Sequence, residues 1–445
     1  MASSSAIPSG DPLTSDSEKV ALADANPVDG TKDPQALVPP QPGPDFPEGG
    51  LQAWLTVLGA CVVSPHRTLD ICLYTPPDFF VVDFLSNYSS SQISWIGSIA
   101  AFLSLSSGLF AGRLFDSGYF YVLMIFGGTI AILCIFMLSL AEKQQYYQAF
   151  LSLGLGCGIG FGAVYVPSIA ICTHYFHRRR ALAMGIAASG TALGAMLHPI
   201  MLNNLIHGKT GFANGVRASG GLIAGCFVIG ILIMRTRLPP RKTQHMSLIS
   251  ALQKFVKDDV YIATVLGLFL VVQGVFFPLF YIQLYCDQHG IDQTFSFYTL
   301  TIISAASWFG RIGGGAISQR AGVFNSMLVC SILTGTLVFA ILGLRSIAAV
   351  TVWAIIYGFF SGAVITLLGP LLASLATDVS EVGLRMGLAF GFTGALLLAT
   401  PITGALLGKQ FLWWRPVVYI GVSHRRLPLS SLTVIRRSLP RLEAL

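Results

Sequence analysis

The feature that most constrains this chain is a series of long apolar runs separated by short polar segments. A helix needs about 20 apolar residues to cross the hydrocarbon core of a bilayer. Ten runs reach or approach that length, at residues 93–110, 121–140, 148–173, 181–206, 218–234, 261–285, 298–317, 325–344, 347–375 and 386–407. Charged residues make up only 11% of the chain, whereas soluble domains have about a quarter. The sequence therefore predicts an all-α membrane protein embedded in a lipid bilayer.

Two further spans are expected at the ends of the chain, and both are degenerate. The first begins at Leu51 and meets Ser-Pro-His-Arg at 64–67, after roughly 20 Å of a hydrocarbon core about 30 Å thick. The last begins near residue 416 and runs into His-Arg-Arg at 424–426. Two explanations stay open: a degenerate protein, or a gene model whose wrong exon boundaries put non-native residues at 64–85 and after Trp414.

The charges of the loops predict the orientation. Lys and Arg are enriched in short cytosolic loops. The loops on one side would hold Arg113, Arg178, Arg179, Arg180, Arg235, Arg237, Arg241, Lys242, Lys254, Lys257, Arg320 and Arg385, and those on the other Lys143, Lys209, Arg217, Arg345 and Lys409. Both termini are therefore predicted to be cytosolic, with the plasma membrane as the expected location. The net charge of +7 is explained by these cationic loops, so no nucleic-acid partner is predicted.

The chain divides into two similar halves. Met184-Gly185 and Pro199-Ile200 in the first half recur as Met386-Gly387 and Pro401-Ile402 in the second at a constant offset. The predicted parts are a disordered cytosolic tail (1–47), a six-helix half (48–234), a cytosolic central loop (235–259), a second six-helix half with a truncated last helix (260–424) and a C-terminal tail (425–445). Duplicated helical units are typical of transporters, which rock two halves around a central site.

Nothing in the sequence indicates an enzyme. The eight cysteines are scattered, without the paired spacing of zinc or redox motifs. Paired acids, metal-spaced histidines and nucleophile motifs are not found either. We therefore predict no catalytic residue, no metal and no cofactor.

Three motifs carry a resemblance to a known family. Residues 175–194 (YFHRRRALAMGIAASGTALG) and residues 48–54 (EGGLQAW) resemble signatures of the monocarboxylate transporter (monocarboxylate porter) family in its fungal form. Residues 112–118 (GRLFDSG) resemble the loop motif after the second helix in the wider major facilitator superfamily. The resemblance covers 48–407 and implies the major facilitator fold, with two pseudo-symmetric six-helix bundles.

The same resemblance implies secondary active or facilitative transport of small organic anions by alternating access. The implied cargo is monocarboxylate-like, riboflavin or a secondary metabolite, with protons as a candidate co-substrate. Proton-coupled animal members carry an aspartate four residues before an eighth-helix arginine, where this chain has Ser307, so coupling is not implied for this chain. The alternative function is a non-transporting nutrient sensor or a defective pseudo-transporter.

Arg311 is the residue most strongly indicated for a substrate site. It falls in the run 298–317, where a guanidinium costs about 3 kcal/mol or more unless it faces protein or water. Ser307 and Ser304 precede it on the same helical face. Its planar fork suits a carboxylate, and the resemblance implies this role. The alternative is a loop position, since three glycines (313–315) follow. Tyr281 and Tyr357 are the other predicted substrate-binding residues.

Asp116, within the motif at 112–118, is predicted to latch the two halves together on the cytosolic side by facing a helix N-terminus. This role is implied by the resemblance, and the alternative is a plain helix cap. Gly112 and Gly118 of the same motif and Arg180 of the three-arginine segment are assigned to the latch with it.

Overall fold

The computed structural model describes residues 46–64, 84–206, 208–238, 248–376, 381–395, 406–408 and 411–422. Within these residues all regular structure is helical. The first half contains α1 (Leu51–Val63), α2 (Ser90–Ser106), α3 (Gly108–Asp116), α4 (Phe120–Leu138), α5 (Tyr146–Ala149), α6 (Gly158–Ala170), α7 (Arg180–Ile206) and α8 (Gly211–Ile233). The rest contains α9 (Leu248–Val256), α10 (Asp259–Gln288), α11 (Gln293–Ala321), α12 (Val323–Ala340), α13 (Ile347–Ser374), α14 (Val382–Ala395) and a short α15 at 414–422.

Eight helices of the described chain are long and apolar enough to cross a membrane. They are Trp95–Asp116, Phe120–Leu138, Tyr146–His174, Arg180–Ile206, Gly211–Ile233, Asp259–Gln288, Val323–Gly343 and Ile347–Ser374. The prediction of an all-α, multi-span membrane protein is therefore confirmed. Two other runs were predicted to span. The run 298–317 lies in α11, which is 29 residues long but more polar than the eight helices above, and the run 386–407 begins in α14, which is described over 14 residues.

The span Tyr146–His174 shows how close helix packing is achieved. A π-helical stretch, Phe150–Cys157, joins α5 to α6. Glycines at every second position fall into two stripes four residues apart: 154, 158 and 162 face α2, and 156 and 160 face α4. A Cβ on Gly160 would lie 2.7 Å from the Gly127 carbonyl oxygen of α4. Small residues let helix backbones approach where lipid gives no hydrophobic drive for association.

The helices pack in two groups. In the second group α11 runs along α13, and in the first α4 packs on α6. The groups meet where α7 packs against α11 and α13, and where α2 and α3 pack against α14. At one end of the molecule, hydrogen bonds from backbone N–H groups to carboxylates join the start of α7 to the start of α1 and the start of α14 to the end of α3. We call this the arginine-rich end, because it carries Arg113, Arg178, Arg179, Arg180, Arg235, Arg320 and Arg385.

The predicted central loop, 235–259, contains a helix that the sequence did not indicate, α9. Phe255 of α9 is 1% exposed, and Lys254 forms an ion pair with Glu381 at the start of the second half's α14. The loop is therefore partly docked on the second half. The predicted domain boundaries stay predictions. The tail 1–47 lies almost wholly outside the described residues, as do most of 64–85 and the segment after residue 422.

Candidate functional site

The carboxylate of Asp116 lies at the N-terminus of α14. It accepts hydrogen bonds from the backbone N–H groups of Gly383 (3.0 Å) and Leu384 (2.7 Å). A Cβ on Gly383 would lie 2.5 Å from the carbonyl oxygen of Gly112, so the two helices touch through glycines. The free N–H groups of a helix N-terminus favour a negative charge. Asp116 thus joins the first half to the second, which is the geometry a latch needs.

Arg180 makes the complementary contact with a helix C-terminus. Its Nη1 donates to the carbonyl oxygen of Ala373 (3.2 Å) in the last turn of α13, where cations are favoured. Gly118 has φ +89° after the end of α3, a conformation that glycine adopts without strain. The structure thus places Asp116, Gly112, Gly118 and Arg180 together at the arginine-rich end, and their latch role stays a prediction.

Glu48 is a further residue of this end whose role the sequence did not reveal. Its carboxylate accepts hydrogen bonds from the N–H groups of His177 (2.7 Å), Arg178 (2.5 Å) and Arg179 (3.1 Å) just before α7. Partial burial alone would raise the pKa of Glu48, but these three bonds and the nearby His177 outweigh it and hold the pKa below its ordinary value of 4.5. Two of the motifs that carry the family resemblance are therefore in direct contact.

A second missed group holds the start of α14. Arg385, 3% exposed, pairs with Asp258 (3.1 Å) and Glu381 (3.6 Å). Its guanidinium also lies 4.5 Å from the centroid of the Phe255 ring, within the range of a cation–π contact. The Tyr261 hydroxyl donates to the Arg385 carbonyl oxygen (2.8 Å). The turn that receives Asp116 is thus fixed to α9 and α10. The only signal in the sequence was an acid four residues before an arginine.

Arg311 lies inside α11, well before its end at Ala321, and is 7% exposed. It is not in the loop that follows. Its Nε donates to Ser307 Oγ (3.4 Å), so the predicted pair is brought together. Its Nη1 donates to the carbonyl oxygen of Ala188 (2.7 Å) and to Thr191 Oγ1, both on α7 of the other half. Sequence analysis did not single out Thr191, because a threonine in an apolar helix carries no distinguishing signal.

The two predicted tyrosines lie in another part of the second half. Tyr357 is fully buried, donates to the Val275 carbonyl oxygen (2.8 Å) and stacks on Trp353 at 4.8 Å between ring centroids. Tyr281 packs on Phe277, with 5.1 Å between the centroids. In this conformation both are packing residues, and their part in substrate binding stays a prediction.

A cavity of about 40 Å³ lies between the two halves. The first half contributes Leu105 and Tyr165, and the second contributes Val272, Val275, Phe276, Val364, Ile365, Leu368, Phe390 and Thr393. The rings of Tyr165 and Phe390 are in tilted contact at its wall, with 5.8 Å between their centroids. A water needs about 10–15 Å³ measured in this way. The cavity therefore has room for a few waters at most, and a solute of metabolite size requires the halves to move apart.

Two groups of membrane helices that meet around a central cavity are typical of membrane transport proteins. The chain belongs to the Major Facilitator Superfamily, whose family model matches residues 78–376. It is by this membership a transmembrane transporter, and the small solute and the lipid bilayer are its partners. The superfamily is thus confirmed, and the finer resemblance to monocarboxylate transporters stays a prediction.

Several fungal transporters are similar to this chain. The aspyridones efflux protein apdF of Emericella nidulans is 33% identical over 384 residues, covering 84% of this chain and 76% of the relative. The MFS transporter asaE of Aspergillus flavus is 35% identical over 378 residues, 83% of each chain. The agnestins efflux protein AgnL12 of Paecilomyces divaricatus is 34% identical over 341 residues, 76% of each.

Solved structures of the same fold are similar at low sequence identity. The fucose:proton symporter FucP of E. coli superposes with a TM-score of 0.66 at 15% identity, covering 86% of this chain and 98% of FucP. The human organic anion transporter MFSD10 gives a TM-score of 0.66 at 16% identity, covering 85% and 97%. These similarities confirm the major facilitator fold.

Proposed function

We propose that this chain exports a small organic acid with a large apolar body, by alternating access of a site between its two halves. The observation that carries the proposal is the apolar cavity between the halves, with Tyr165 on one side and Phe390 on the other. Ligand sites of this kind are mostly apolar, and a few polar groups fix the orientation of the ligand. A solute with an extended apolar body suits such a lining.

Arg311 supports an acidic group on the cargo. It is a buried cation near the contact between the halves, and its planar fork pairs with carboxylates in two parallel hydrogen bonds. Riboflavin is less favoured because it has no carboxylate for Arg311, and short monocarboxylates are less favoured because they offer little apolar surface to this lining.

The direction of transport is proposed from the relatives. Two of them are named efflux proteins, for aspyridones and for agnestins. We infer the same direction here, with a secondary metabolite as cargo and a cytosolic arginine-rich end from which the cargo is taken up.

The proposal is tested by export from yeast that lacks its own efflux pumps. Cells are preloaded with labelled aromatic carboxylic acids, with their neutral amides or with riboflavin, and loss of label is followed. We expect faster export of the acids than from cells with an empty vector, and little effect on the amides. Arg311→Lys should weaken export about tenfold, because it keeps the charge but loses the fork, and Arg311→Gln should weaken it more.

Arg345→Gln is the matched control, because Arg345 is exposed at the opposite end of the molecule from the arginine-rich end. It should leave export unchanged. Equal export by wild type and Arg311→Gln, at matched surface expression, would remove Arg311 from the site. Export of amides as fast as acids would reject the acidic cargo.

A further inference from the structure

The starting observation is that the guanidinium of Arg311 is bound by the other half of the molecule. Arg311 belongs to α11, whereas Ala188 and Thr191 belong to α7. The Thr191 hydroxyl donates to the Ala188 carbonyl oxygen (2.9 Å). A hydroxyl has one proton, so its lone pairs are left to accept from Arg311. Thr191 is therefore oriented by its own helix as an acceptor.

The two helices are close enough for this contact because small residues line it. A Cβ on Gly185 of α7 would lie 2.9 Å from the Arg311 carbonyl oxygen. Farther toward the arginine-rich end, a Cβ on Gly315 of α11 would lie 2.7 Å from the Ala181 carbonyl oxygen. Arg311 thus fastens a backbone-to-backbone contact between the halves.

In this conformation α13 separates Arg311 from the apolar cavity. Gly362 of α13 faces α11, because a Cβ on Gly362 would lie 2.7 Å from Ser307 Oγ. Val364 of the same helix lines the cavity. Residues two apart point about 200° apart around a helix. The acidic group of a solute lying in this cavity would therefore meet the guanidinium only after α7 and α11 separate.

We propose that Thr191 and the Ala188 carbonyl position Arg311 as an exchangeable tether between the halves, and that the acidic group of the substrate takes their place. This proposal rests on the proposed function for the acidity of the cargo. A carboxylate brings a charge opposite to that of the guanidinium and two oxygens that accept from its fork in parallel, so it can replace both acceptors on α7. Without such a replacement, separation takes the guanidinium away from both of its acceptors on α7 inside the membrane, which is costly. The empty transporter therefore stays closed at this contact.

Distances between two labels test the tether in the purified full chain in lipid nanodiscs. Tyr119, 54% exposed, and Gln319, also exposed, lie at the arginine-rich end of opposite halves. Genetically encoded spin-labelled residues at these positions leave the native cysteines in place. In the empty protein, Thr191→Val should raise the ratio of long to short distances about tenfold, the effect of losing one hydrogen bond to a charged group. Thr191→Ser keeps the hydroxyl and should restore the wild-type distribution.

The control is Thr334→Val, which also removes a buried hydroxyl. Thr334 is fully buried and donates to the Cys330 carbonyl oxygen (2.7 Å) within α12. It should leave the distances unchanged. If Thr191→Val, too, keeps the wild-type distances, or if Thr191→Ser behaves like Thr191→Val, the tether is overturned.

The exchange is tested with benzoate as a simple apolar carboxylate and benzamide as its neutral counterpart. Benzoate should lengthen the distances in wild type and leave Arg311→Gln unaffected, and benzamide should change neither. Equal effects of the two compounds on wild type, or no effect of either, would overturn the exchange. Failure of the proposed function would be seen separately. Yeast would then not export the acids, although Thr191→Val still lengthens the distances between the two labels in the purified protein.

Discussion

At the scale of single residues, charged side chains form hydrogen bonds with the backbone at the ends of helices in this molecule. Asp116 accepts from the N-terminus of α14, Glu48 from the N–H groups before α7, and Arg180 donates to the last turn of α13. Each charge lies where the partial charge of the helix end is opposite. Single substitutions at these residues should therefore weaken contacts between distant helices rather than local structure.

Glu48 gives a prediction for the acid side of the pH range. Its pKa is lower in the folded protein than its ordinary 4.5. The stabilisation is therefore present above the ordinary pKa and is lost as the pH falls through the lower, folded-state value. We expect the Tm of the purified wild type to fall between pH 6 and about pH 3.5 by more than that of Glu48→Gln. Thermal unfolding in detergent at a series of pH values measures this.

The control for this titration is Glu142→Gln, because the Glu142 carboxylate lies in the turn between α4 and α5, away from the arginine-rich end. It should follow the wild-type curve. Parallel pH curves for wild type and Glu48→Gln would show that the carboxylate contributes nothing to stability.

Asp116 gives a second prediction. An asparagine keeps one acceptor oxygen but turns an amide N–H₂ toward the second backbone donor, and it removes the charge. Asp116→Asn should weaken the contact with α14 by about 1 kcal/mol and lengthen the Tyr119–Gln319 distances. Asp292→Asn is the control, since Asp292 caps α11 at Phe295 (2.9 Å) within its own half. Equal distances in the two variants would contradict a latch.

Sequence reasoning reached some of these residues and missed others for a physical reason. Arg311 was found because a charge inside an apolar run has few explanations, and Asp116 was found through the resemblance carried by the motif at 112–118. Glu48 was noticed only as part of a motif, since its partner Arg178 is 130 residues away. Thr191 was missed altogether, because its role depends on which residue of the second half lies beside it in the folded protein. Contacts between halves leave no mark on local periodicity.

At the scale of elements, the apolar runs predicted the spanning helices because burial in lipid leaves the backbone no other partner than its own helix. α9 was missed because it lies in a polar segment and because its contacts, which include the ion pair of Lys254 with Glu381, are with residues far away in the sequence. The π-helical stretch Phe150–Cys157 was missed because it departs from the usual helical period. Of the predicted elements, the described structure is least complete for the first and last.

The glycine stripes give a prediction at this scale. Gly160→Leu should destabilise the protein by about 3 kcal/mol, because its Cβ would meet backbone atoms of α4 at 2.7 Å and the helices must separate. Gly225→Leu on α8 is the control, since nothing lies within 4 Å of its Cβ. Unfolding of the purified proteins in sodium dodecyl sulfate measures both. Similar midpoints would argue against close packing at Gly160.

At the scale of the whole molecule, the duplicated halves and the membrane class were predictable because both follow from repetition and hydropathy. The cavity was not predictable, since its lining residues come from both halves and from five helices. Orientation follows from the positive-inside rule and stays to be tested. Cysteine labelling with an impermeant maleimide in intact cells, after replacement of reactive native cysteines, should label Lys209→Cys and not Ser5→Cys. Labelling of Ser5→Cys would reverse the topology.

The native transcript gives the last prediction at this scale. The apolar run from Leu51 meets Ser-Pro-His-Arg at 64–67, and the run near residue 416 meets His-Arg-Arg at 424–426, whereas a span needs about 20 apolar residues. We expect the cDNA to differ from this sequence at 64–85 and after Trp414. A transcript that encodes both segments unchanged would favour a degenerate protein that keeps the fold without transport.

The bond between Glu48 and the start of α7 has a consequence for the time course of biosynthesis. Glu48 leaves the ribosome before the first helix, but its partner Arg178 follows 130 residues later. At roughly 5–20 residues per second this delay is on the order of 10 s. During this delay the first helix lacks the hydrogen bonds between Glu48 and the start of α7 that fix its start. A nascent chain that stalls before residue 177 should therefore expose a loose first helix to the quality-control machinery of the membrane.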